Sequence, residues 1–566
     1  MRSKTLAPYL LAAQSPLLSV IAGYAQAVSI ATPWGGQPLW WLQMLSLAGL
    51  VLLLDRAASA RQAALLGWLF ATSWLCGTVW WLFISMHVYG GLAAPLAVLA
   101  IVALCGFLAL YYAAACYFYK RFRLVAGANT ARAAIVFAAV WVLAELARDS
   151  WFTGFPWGAG GYAHVDGPFS MFAGWIGVYG ISVCSALAVA LLCQGFKWLE
   201  YPAGLRKAAM MLFWITLPTF VLIFYLPPKN ERTFVMPAWN ESKQRGAMSK
   251  DEVLLRNQSA EEALRKSKPA TLISLGTEIV LLQGNIPQGE KFDSTTGVKA
   301  SLEWYQQQLS LSTATLVITP ETAIPLLPRQ LPDGYWDAIQ KRYATGNQAA
   351  LVGIPLGDFE KGYTNSVLGI KPNQTQPYQY DKHHLVPFGE FIPPLFKWFT
   401  QMMNIPLGDF NRGAVGQPSF EWAGQRWAPN ICYEDLFGDE LARRFVDEKT
   451  APTVMVNVSN IGWFGNTVAI DQHLQISRMR ALELGRPMVR ATNTGATVII
   501  SHRGEVTHSL PRHTRGVLTG SVEGRQGLTP FAWWAGRFGL WPLWIFGMTI
   551  LIAAFRIIRR KSEPAV

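Results

Sequence analysis

Charged residues are scarce in this chain: they make up only 15% of its 566 positions, whereas hydrophobic residues make up 52%. Both values are unusual for a soluble protein of this size. The apolar residues are also unevenly distributed. Positions up to about 226 are almost continuously apolar, the stretch to about 525 has the composition of a globular protein, and a last apolar run ends near 558. The composition therefore excludes a chain that is soluble throughout.

Eight apolar stretches are predicted to cross a membrane, which takes about 20 apolar residues in a helix. Seven precede the globular stretch and one follows it: 9–28, 38–54, 63–86, 92–118, 133–146, 170–194, 208–226 and 538–558. The first stretch follows Arg2 and Lys4, which is also typical of a cleaved signal peptide. Because six further stretches follow it closely, we predict that it is the first transmembrane helix.

Lysine and arginine are almost missing from alternate loops of this layout. If the N-terminus is cytoplasmic, the inner segments hold fifteen Lys and Arg residues, and the outer loops before the globular part hold only Arg148. Loops rich in Lys and Arg remain in the cytoplasm. Seven crossings from an inside start therefore place positions 228–537 outside the cytoplasm, and the eighth returns the C-terminus to it.

Most of the net charge of +13 comes from the Lys and Arg residues of the predicted inner segments. Positions 228–537 hold 32 Lys plus Arg and 29 Asp plus Glu, a balance of only +3. A nucleic-acid-binding domain would need a basic patch on its globular part, and none stands out. We therefore expect no nucleic-acid partner.

Short apolar runs alternate with amphipathic segments in the globular part. Strands are predicted at 278–283, 315–319, 349–354, 365–370, 427–431, 453–458, 488–491, 497–501 and 516–521, and helices at 299–309, 334–343 and 470–484. This alternation predicts an α/β domain with a covered sheet.

Four regions follow from these patterns. Residues 1–227 form seven transmembrane helices, and residues 228–277 are polar and poorly periodic, which indicates a linker or an insertion. Residues 278–527 form the α/β domain, and residues 528–566 form the last transmembrane helix with a basic cytoplasmic tail. The segment 396–403 is rich in aromatic residues and Met, and is either core packing or a mobile arm at the membrane interface.

Cysteine is rare, and only Cys432 lies in the predicted exported part; the other five lie in predicted membrane spans. A single thiol in an oxidising compartment is a buried bystander, an intermolecular cross-link or a nucleophile. No motif typical of a metal site or a phosphate loop occurs, so we expect no metal and no cofactor.

Three reactive residues stand at the ends of predicted strands: Glu321 after Pro320 and the strand that ends at 319, Lys382 after a further strand at 378–381, and Cys432 after the strand at 427–431. The ends of strands are where α/β folds usually assemble their sites. A helix is predicted at about 436–445. Its N-terminus and a nearby Lys would both favour the thiolate of Cys432 and lower its pKa from about 8.5.

The motifs around these residues resemble those of the nitrilase, or carbon–nitrogen hydrolase, superfamily. They are PETAIP at 320–325, YDKHHLVPFGE at 380–390 and ICYE at 431–434, together with QGNIPQ at 283–288. A single Pro-Glu pair or Lys is usually only a solvated surface feature, so the hypothesis depends on the motifs occurring together. Within the superfamily, ELAR at 145–148, TGFPW at 153–157 and GLTP at 527–530 are similar to segments of the apolipoprotein N-acyltransferase family.

The resemblance implies an αββα sandwich on the periplasmic side of a bacterial inner membrane, with both termini cytoplasmic. It implies that Cys432 takes an acyl chain from a phospholipid as a thioester, with Glu321 as general base and Lys382 as oxyanion support. The acceptor would be the α-amino group of the N-terminal diacylglyceryl-cysteine of an apolipoprotein. By the same resemblance Glu390, Tyr433 and Glu434 support the triad.

Phe292 stands where the family often has Trp, and the resemblance assigns this position to lipid contact. Three other hypotheses compete with an acyltransferase. A membrane-bound nitrilase-type amidase would share Cys432 and pass the acyl group to water. A transporter with an exported accessory domain would need ionisable residues within its spans, and these are few. A catalytically inactive scaffold would not need the complete set of Glu321, Lys382 and Cys432.

Overall fold

The computed structural model describes residues 7–127, 130–198, 276–358, 360–392 and 410–562. The predicted span 208–226, the predicted linker up to residue 275 and the segment 396–403 lie outside these residues.

The N-terminal part is helical, and its helices coincide with the predicted spans. Four of the described helices are long and apolar enough to cross a membrane: Ala60–Val79, Ala94–Ala126, Pro168–Gln194 and Trp541–Lys561. The helices before the sheets are α1 Ala7–Ile30, α2 Trp40–Arg56, α3 Ala60–Val79, α4 Ala94–Ala126, α5 Thr130–Ser150 and α6 Ala173–Trp198.

The second part alternates strands and helices, and every predicted strand overlaps an observed one. The elements are β1 Thr277–Gln283, α7 Gly297–Leu311, β2 Leu316–Ile318, α8 Tyr335–Tyr343, β3 Ala349–Asp358, β4 Gly362–Ile370, β5 Tyr378–Asp381, β6 Phe420–Trp422, β7 Gln425–Ile431, α9 Gly438–Ala442, β8 Val454–Ser459, α10 Ala469–Leu484, β9 Met488–Thr492, β10 Val498–Ile500, β11 Val506–Ser509 and β12 Gly516–Val522. Helices α11 Pro530–Phe538 and α12 Trp541–Ser562 follow.

The strands form two sheets of six, in the orders β12-β1-β2-β3-β4-β5 and β11-β10-β9-β8-β7-β6. Strands β2 and β8 are buried at every position, which explains why they read as continuous apolar runs without alternation. In both sheets the central pairs, such as β1–β2 and β7–β8, run parallel.

Three apolar layers separate the sheets from each other and from the helices. Side chains such as Leu281 and Val456 fill the space between the two sheets. On the outer face of the first sheet, Leu302 of α7 and Ile339 of α8 join the core. On the outer face of the second sheet, Ile476 of α10 does the same. The order of layers is therefore helix, sheet, sheet, helix, which is the αββα sandwich that the resemblance implied.

Helix α10 also contacts the helical part. The indole Nε1 atoms of Trp81 and Trp157 both donate to Gln472 Oε1, at 3.1 and 2.8 Å. In return, Gln472 Nε2 donates to the carbonyl of Thr78 at 3.0 Å. The helix that covers the second sheet is thus fixed directly to the end of α3.

Candidate active site

The three predicted triad residues all lie just beyond strand ends. Lys382 directly follows β5, Cys432 directly follows β7, and Glu321 lies three residues after β2. The Lys382 ammonium lies 3.3 Å from Glu321 Oε1 and 2.8 Å from Glu390 Oε1. The structure therefore brings Lys382 together with two carboxylates, one from the β2 end and one from the loop after β5.

The carboxylate of Glu321 is held by donors from three segments. Its Oε1 accepts from Asn365 Nδ2 at 2.7 Å as well as from Lys382, and its Oε2 accepts from the backbone N–H of Asn460 at 2.8 Å. The next residue, Thr322, has a φ of 45°, in the left-handed region. A tight turn and fixed donors therefore orient this carboxylate.

Lys382 is buried, with only 1% of its side chain exposed. Burial alone would lower the pKa of its ammonium. The neighbouring carboxylates of Glu390 and Glu321 outweigh this effect, so the pKa is raised. Lys382 therefore stays positively charged across the physiological pH range, which suits it to stabilise a developing oxyanion.

Cys432 occupies a sharp turn, with a φ of 52° that non-glycine residues rarely adopt. Its carbonyl accepts from Asn457 Nδ2 at 3.3 Å and from the His473 ring Nε2 at 3.1 Å, and its sulfur accepts from Ser459 Oγ at 3.3 Å. His473 Nδ1 in turn accepts from the Arg490 guanidinium at 3.1 Å, which fixes the tautomer of the ring. The strained turn at Cys432 is thus held through both its carbonyl and its sulfur.

The prediction of a lowered thiol pKa is wrong. Burial raises the pKa of Cys432 to about 12, Glu321 acts in the same direction, and the opposite effect of Lys382 is too small to compensate. The helix predicted at about 436–445 is also much shorter in the structure: α9 covers only Gly438–Ala442, and 3₁₀ turns lie on either side of it at Cys432–Leu436 and Arg443–Phe445. No long helix begins at Cys432, and burial together with the charge of Glu321 outweighs the charge of Lys382, so the resting thiol is protonated.

Glu390 and Glu434 brace different parts of the site. Glu390 accepts from Lys382 and Asn365 through Oε1, and from the N–H of Val386 through Oε2 at 2.9 Å. Glu434 Oε1 accepts from the backbone N–H of His383 at 2.7 Å, while its Oε2 accepts from that of Ile431 at 2.6 Å. Glu434 thereby connects the segments that carry Lys382 and Cys432.

Burial alone would raise the pKa of Glu434, but the charge of His383 and the hydrogen bonds outweigh it and lower the pKa to about 2.

Tyr433 points away from the triad, because its hydroxyl donates to the carbonyl of Gly154 at 3.2 Å. Phe292 is half-buried on the loop between β1 and α7. Of the predicted supporting residues, only Glu390 contacts Lys382 directly.

Sequence reasoning missed several residues of the site, and Lys291 is the most unexpected. It is 2% exposed and lies immediately before Phe292. Its ammonium donates to the carbonyl of Glu321 at 3.2 Å and to Thr322 Oγ1 at 2.7 Å. Its position three residues after the QGNIPQ motif is the feature of the sequence that could have indicated a place in the site. Asn365, Asn460 and His473 carried no signal of this kind.

These groups provide what an acyl transfer to sulfur requires: a thiol, an oriented carboxylate and a permanent cation. The profile of the carbon-nitrogen hydrolase family matches residues 279–528. Fold and site therefore define the class of protein, a carbon–nitrogen hydrolase domain joined to apolar helices.

The profile of the apolipoprotein N-acyltransferase N-terminal domain matches residues 22–191, and a protein of that name from Verminephrobacter eiseniae is 54% identical over 92% of both chains. The chain belongs to the apolipoprotein N-acyltransferase family, and it is a membrane protein. A second relative of the same name, from Ralstonia nicotianae, is 42% identical over 92% of this chain and 90% of its own. A solved amidase from Nesterenkonia sp. covers 47% of this chain and 95% of its own at 16% identity, with a TM-score of 0.32. The family assignment depends on the sequence matches.

Proposed function

We propose that the chain transfers a fatty acyl group from a phospholipid to the α-amino group of the N-terminal diacylglyceryl-cysteine of apolipoproteins, through a thioester on Cys432. The observation that carries the proposal is the buried Lys382 ammonium. It contacts both Glu321 and Glu390, and it interacts electrostatically with Cys432, in a chain whose relatives are named apolipoprotein N-acyltransferases.

In the first half-reaction Glu321 takes the proton of the Cys432 thiol, and the sulfur attacks the ester carbonyl of the phospholipid. Lys382 stabilises the tetrahedral oxyanion. When the intermediate collapses, the ester C–O bond breaks and the lysophospholipid leaves with the proton from Glu321. Because the resting thiol is protonated, Glu321 must take its proton for the sulfur to become nucleophilic.

In the second half-reaction the α-amino group of the acceptor attacks the thioester. The C–N bond forms and the C–S bond breaks, Glu321 accepts a proton from the amine, and the Cys432 sulfur regains it. One nucleophile serves both steps, so the kinetics are ping-pong. Glu390 keeps Lys382 in place, Glu434 fixes the two segments that carry Lys382 and Cys432, and Phe292 contacts the lipid.

The amidase alternative uses the same first chemistry but passes the acyl group to water. Two features favour the acyltransferase: the matched N-terminal domain and the high identity of relatives that carry this name over almost their whole length. A hydrolase of small amides would need no such helical part to reach its substrate.

Intact-mass spectrometry of the purified protein tests the proposal. After incubation with phospholipid we expect a mass increase equal to one acyl chain, which neutral hydroxylamine removes because a thioester is labile to it. The C432A variant should gain no such mass. Turnover of a soluble amide without any adduct from phospholipid would instead support the amidase.

We also propose that the chain crosses the bacterial inner membrane eight times, with residues 228–537 on the periplasmic side and both termini in the cytoplasm. The distribution of Lys and Arg supports this orientation. A protease added to spheroplasts should cut within 228–537 and leave a tag at the C-terminus intact. Cleavage of the tag with protection of the domain would reverse the orientation.

A further inference from the structure

A second buried ammonium lies beside the proposed triad and has no role in the steps above. Lys291 donates to the Glu321 carbonyl at 3.2 Å and to Thr322 Oγ1 at 2.7 Å. Both acceptors are uncharged, and both belong to the turn that carries the proposed base. The side chain therefore holds this turn. Because neither acceptor carries a charge, neither of them neutralises the ammonium.

The charges of Glu321, Glu390 and Lys382 are balanced when the ammonium of Lys291 is added to them. Glu321 and Glu390 are two carboxylates, and the single ammonium of Lys382 contacts both of them. Two negative charges against one positive charge would leave a net charge in a buried site, which is unfavourable. Lys291 is attracted to Glu321 electrostatically and provides the second positive charge.

Lys291 also interacts with both ends of the proposed proton transfer. When the thiol proton moves to Glu321, the negative charge moves from the carboxylate to the sulfur. Lys291 attracts the charged form of Glu321 and, more weakly, that of Cys432. A cation that attracts both positions can stabilise the charge before and after its transfer, and it needs no movement to do so.

We propose that Lys291 is a positioning residue of this active site, which holds the Glu321 turn and supplies the counter-charge for the negative charge shared by Glu321 and Cys432. The inference rests on the proposed roles of these two residues. In this proposal Lys382 stabilises the oxyanion, and Lys291 compensates the negative charge of Glu321 and Cys432. The two lysines therefore have different roles.

The titration of Lys291 itself provides a test. Burial lowers its pKa to about 8, although Glu321 and Cys432 act in the opposite direction. The charge is therefore present at pH 7 and lost above pH 9. The neutral amine still donates hydrogen bonds at high pH, so charge and hydrogen bonding can be separated by pH alone.

Other charged groups also face Cys432, namely Glu321, Lys382 and Glu390, together with Arg490 and the neutral ring of His473. Burial and the charge of Arg490 keep the pKa of His473 well below its ordinary value, so the ring does not change charge in the tested range. These groups are the same in every variant compared below.

The experiment measures the rate at which iodoacetamide alkylates Cys432 in the full-length protein in detergent, followed by peptide mass spectrometry at pH 7 and pH 9.5. Alkylation reports the thiolate and needs no lipid substrate. We expect Lys291→Met to slow alkylation about 10-fold at pH 7, which corresponds to a shift of about one pKa unit, and to have almost no effect at pH 9.5.

Two further variants make the test independent of how well Lys291→Met folds. Lys291→Arg keeps its charge at every pH, so at pH 9.5 its Cys432 should react faster than that of the unmodified protein. Thr322→Val removes a hydrogen-bond acceptor and keeps the ammonium, so any effect should be equal at both pH values. Lys299→Met is the matched control, because this lysine of α7 is 71% exposed and should change nothing.

If Lys291→Met slows alkylation equally at both pH values, Lys291 only holds the Glu321 turn, and its proposed role as a counter-charge is wrong. Unchanged alkylation in both Lys291 variants would overturn the proposal altogether. Failure of the unmodified protein to load an acyl group would instead contradict the proposed function, and the alkylation results would remain interpretable.

Discussion

The helical part and the two-sheet part of this protein place their apolar side chains differently. On the helices and their connections large apolar residues are exposed, among them Phe152 at 78%, Trp541 at 68% and Leu99 at 63%. Strongly polar residues lie inside the same region, where Glu145 and Arg148 are 0% and 1% exposed. In the two-sheet part, apolar residues fill the space between the sheets. The first pattern is stable only where the surroundings are apolar.

The buried charges of the two parts also differ in what they contact. Arg148 donates to Tyr112 Oη at 3.1 Å and to the carbonyls of Phe155 and Trp157 at 3.2 and 2.7 Å, so it holds the loop that follows α5. The site of the two-sheet part instead brings charged side chains against one another. The buried charge of Arg148 therefore maintains a loop, whereas we propose that the charges around Lys382 serve the reaction.

The comparison predicts that a charge removed from the site affects the reaction and leaves the fold intact. Glu321→Gln should slow acyl loading of Cys432 about 10³-fold, because an amide cannot accept the thiol proton. Single-turnover loading followed by mass spectrometry measures this rate. The protein should still fold, with a slightly lowered melting temperature, because the amide nitrogen cannot accept from the donors that contact one of the two Glu321 oxygens.

Glu303→Gln on α7 is the matched control, because Glu303 is 68% exposed and should leave both quantities unchanged. If Glu321→Gln loads at the normal rate, Glu321 is not the base.

The reverse effect is expected in the helical part. Arg148→Met should destabilise the protein by about 3 kcal/mol, because two buried carbonyls lose their donor. Thermal unfolding in detergent measures this loss, and loading of Cys432 at low temperature should persist. Arg132→Met is the control, since Arg132 is exposed on the same helix. If Arg148→Met unfolds at the normal temperature but its Cys432 is no longer loaded with an acyl group, the proposed difference between the two parts is wrong.

Much of the fold was predictable because the buried strands are long apolar runs. Strands β6 and β11 were missed for physical reasons. Strand β6 has only three residues, and all four residues of β11 are exposed, so neither shows an apolar pattern. The strand ends that carry Glu321, Lys382 and Cys432 were identified because their motifs are contiguous in the sequence.

The environment of these residues could not be predicted in the same way. Asn365, Asn460 and His473 come from three separate segments, and nothing in the sequence indicates that their side chains converge. The pKa of Cys432 was predicted in the wrong direction because it depends on burial, which the neighbouring sequence does not reveal. Lys291 was overlooked because a lysine in a loop is normally solvated.

The protonated state of Cys432 has a consequence for the durability of the protein. Disulfide exchange and oxidation to sulfenic acid both proceed through the ionised sulfur. A thiol that remains neutral until a carbonyl approaches reacts slowly with small disulfides and peroxides. If this part of the chain lies outside the cytoplasm, as we propose, the burial that opposes ionisation of Cys432 also protects its thiol from oxidation there.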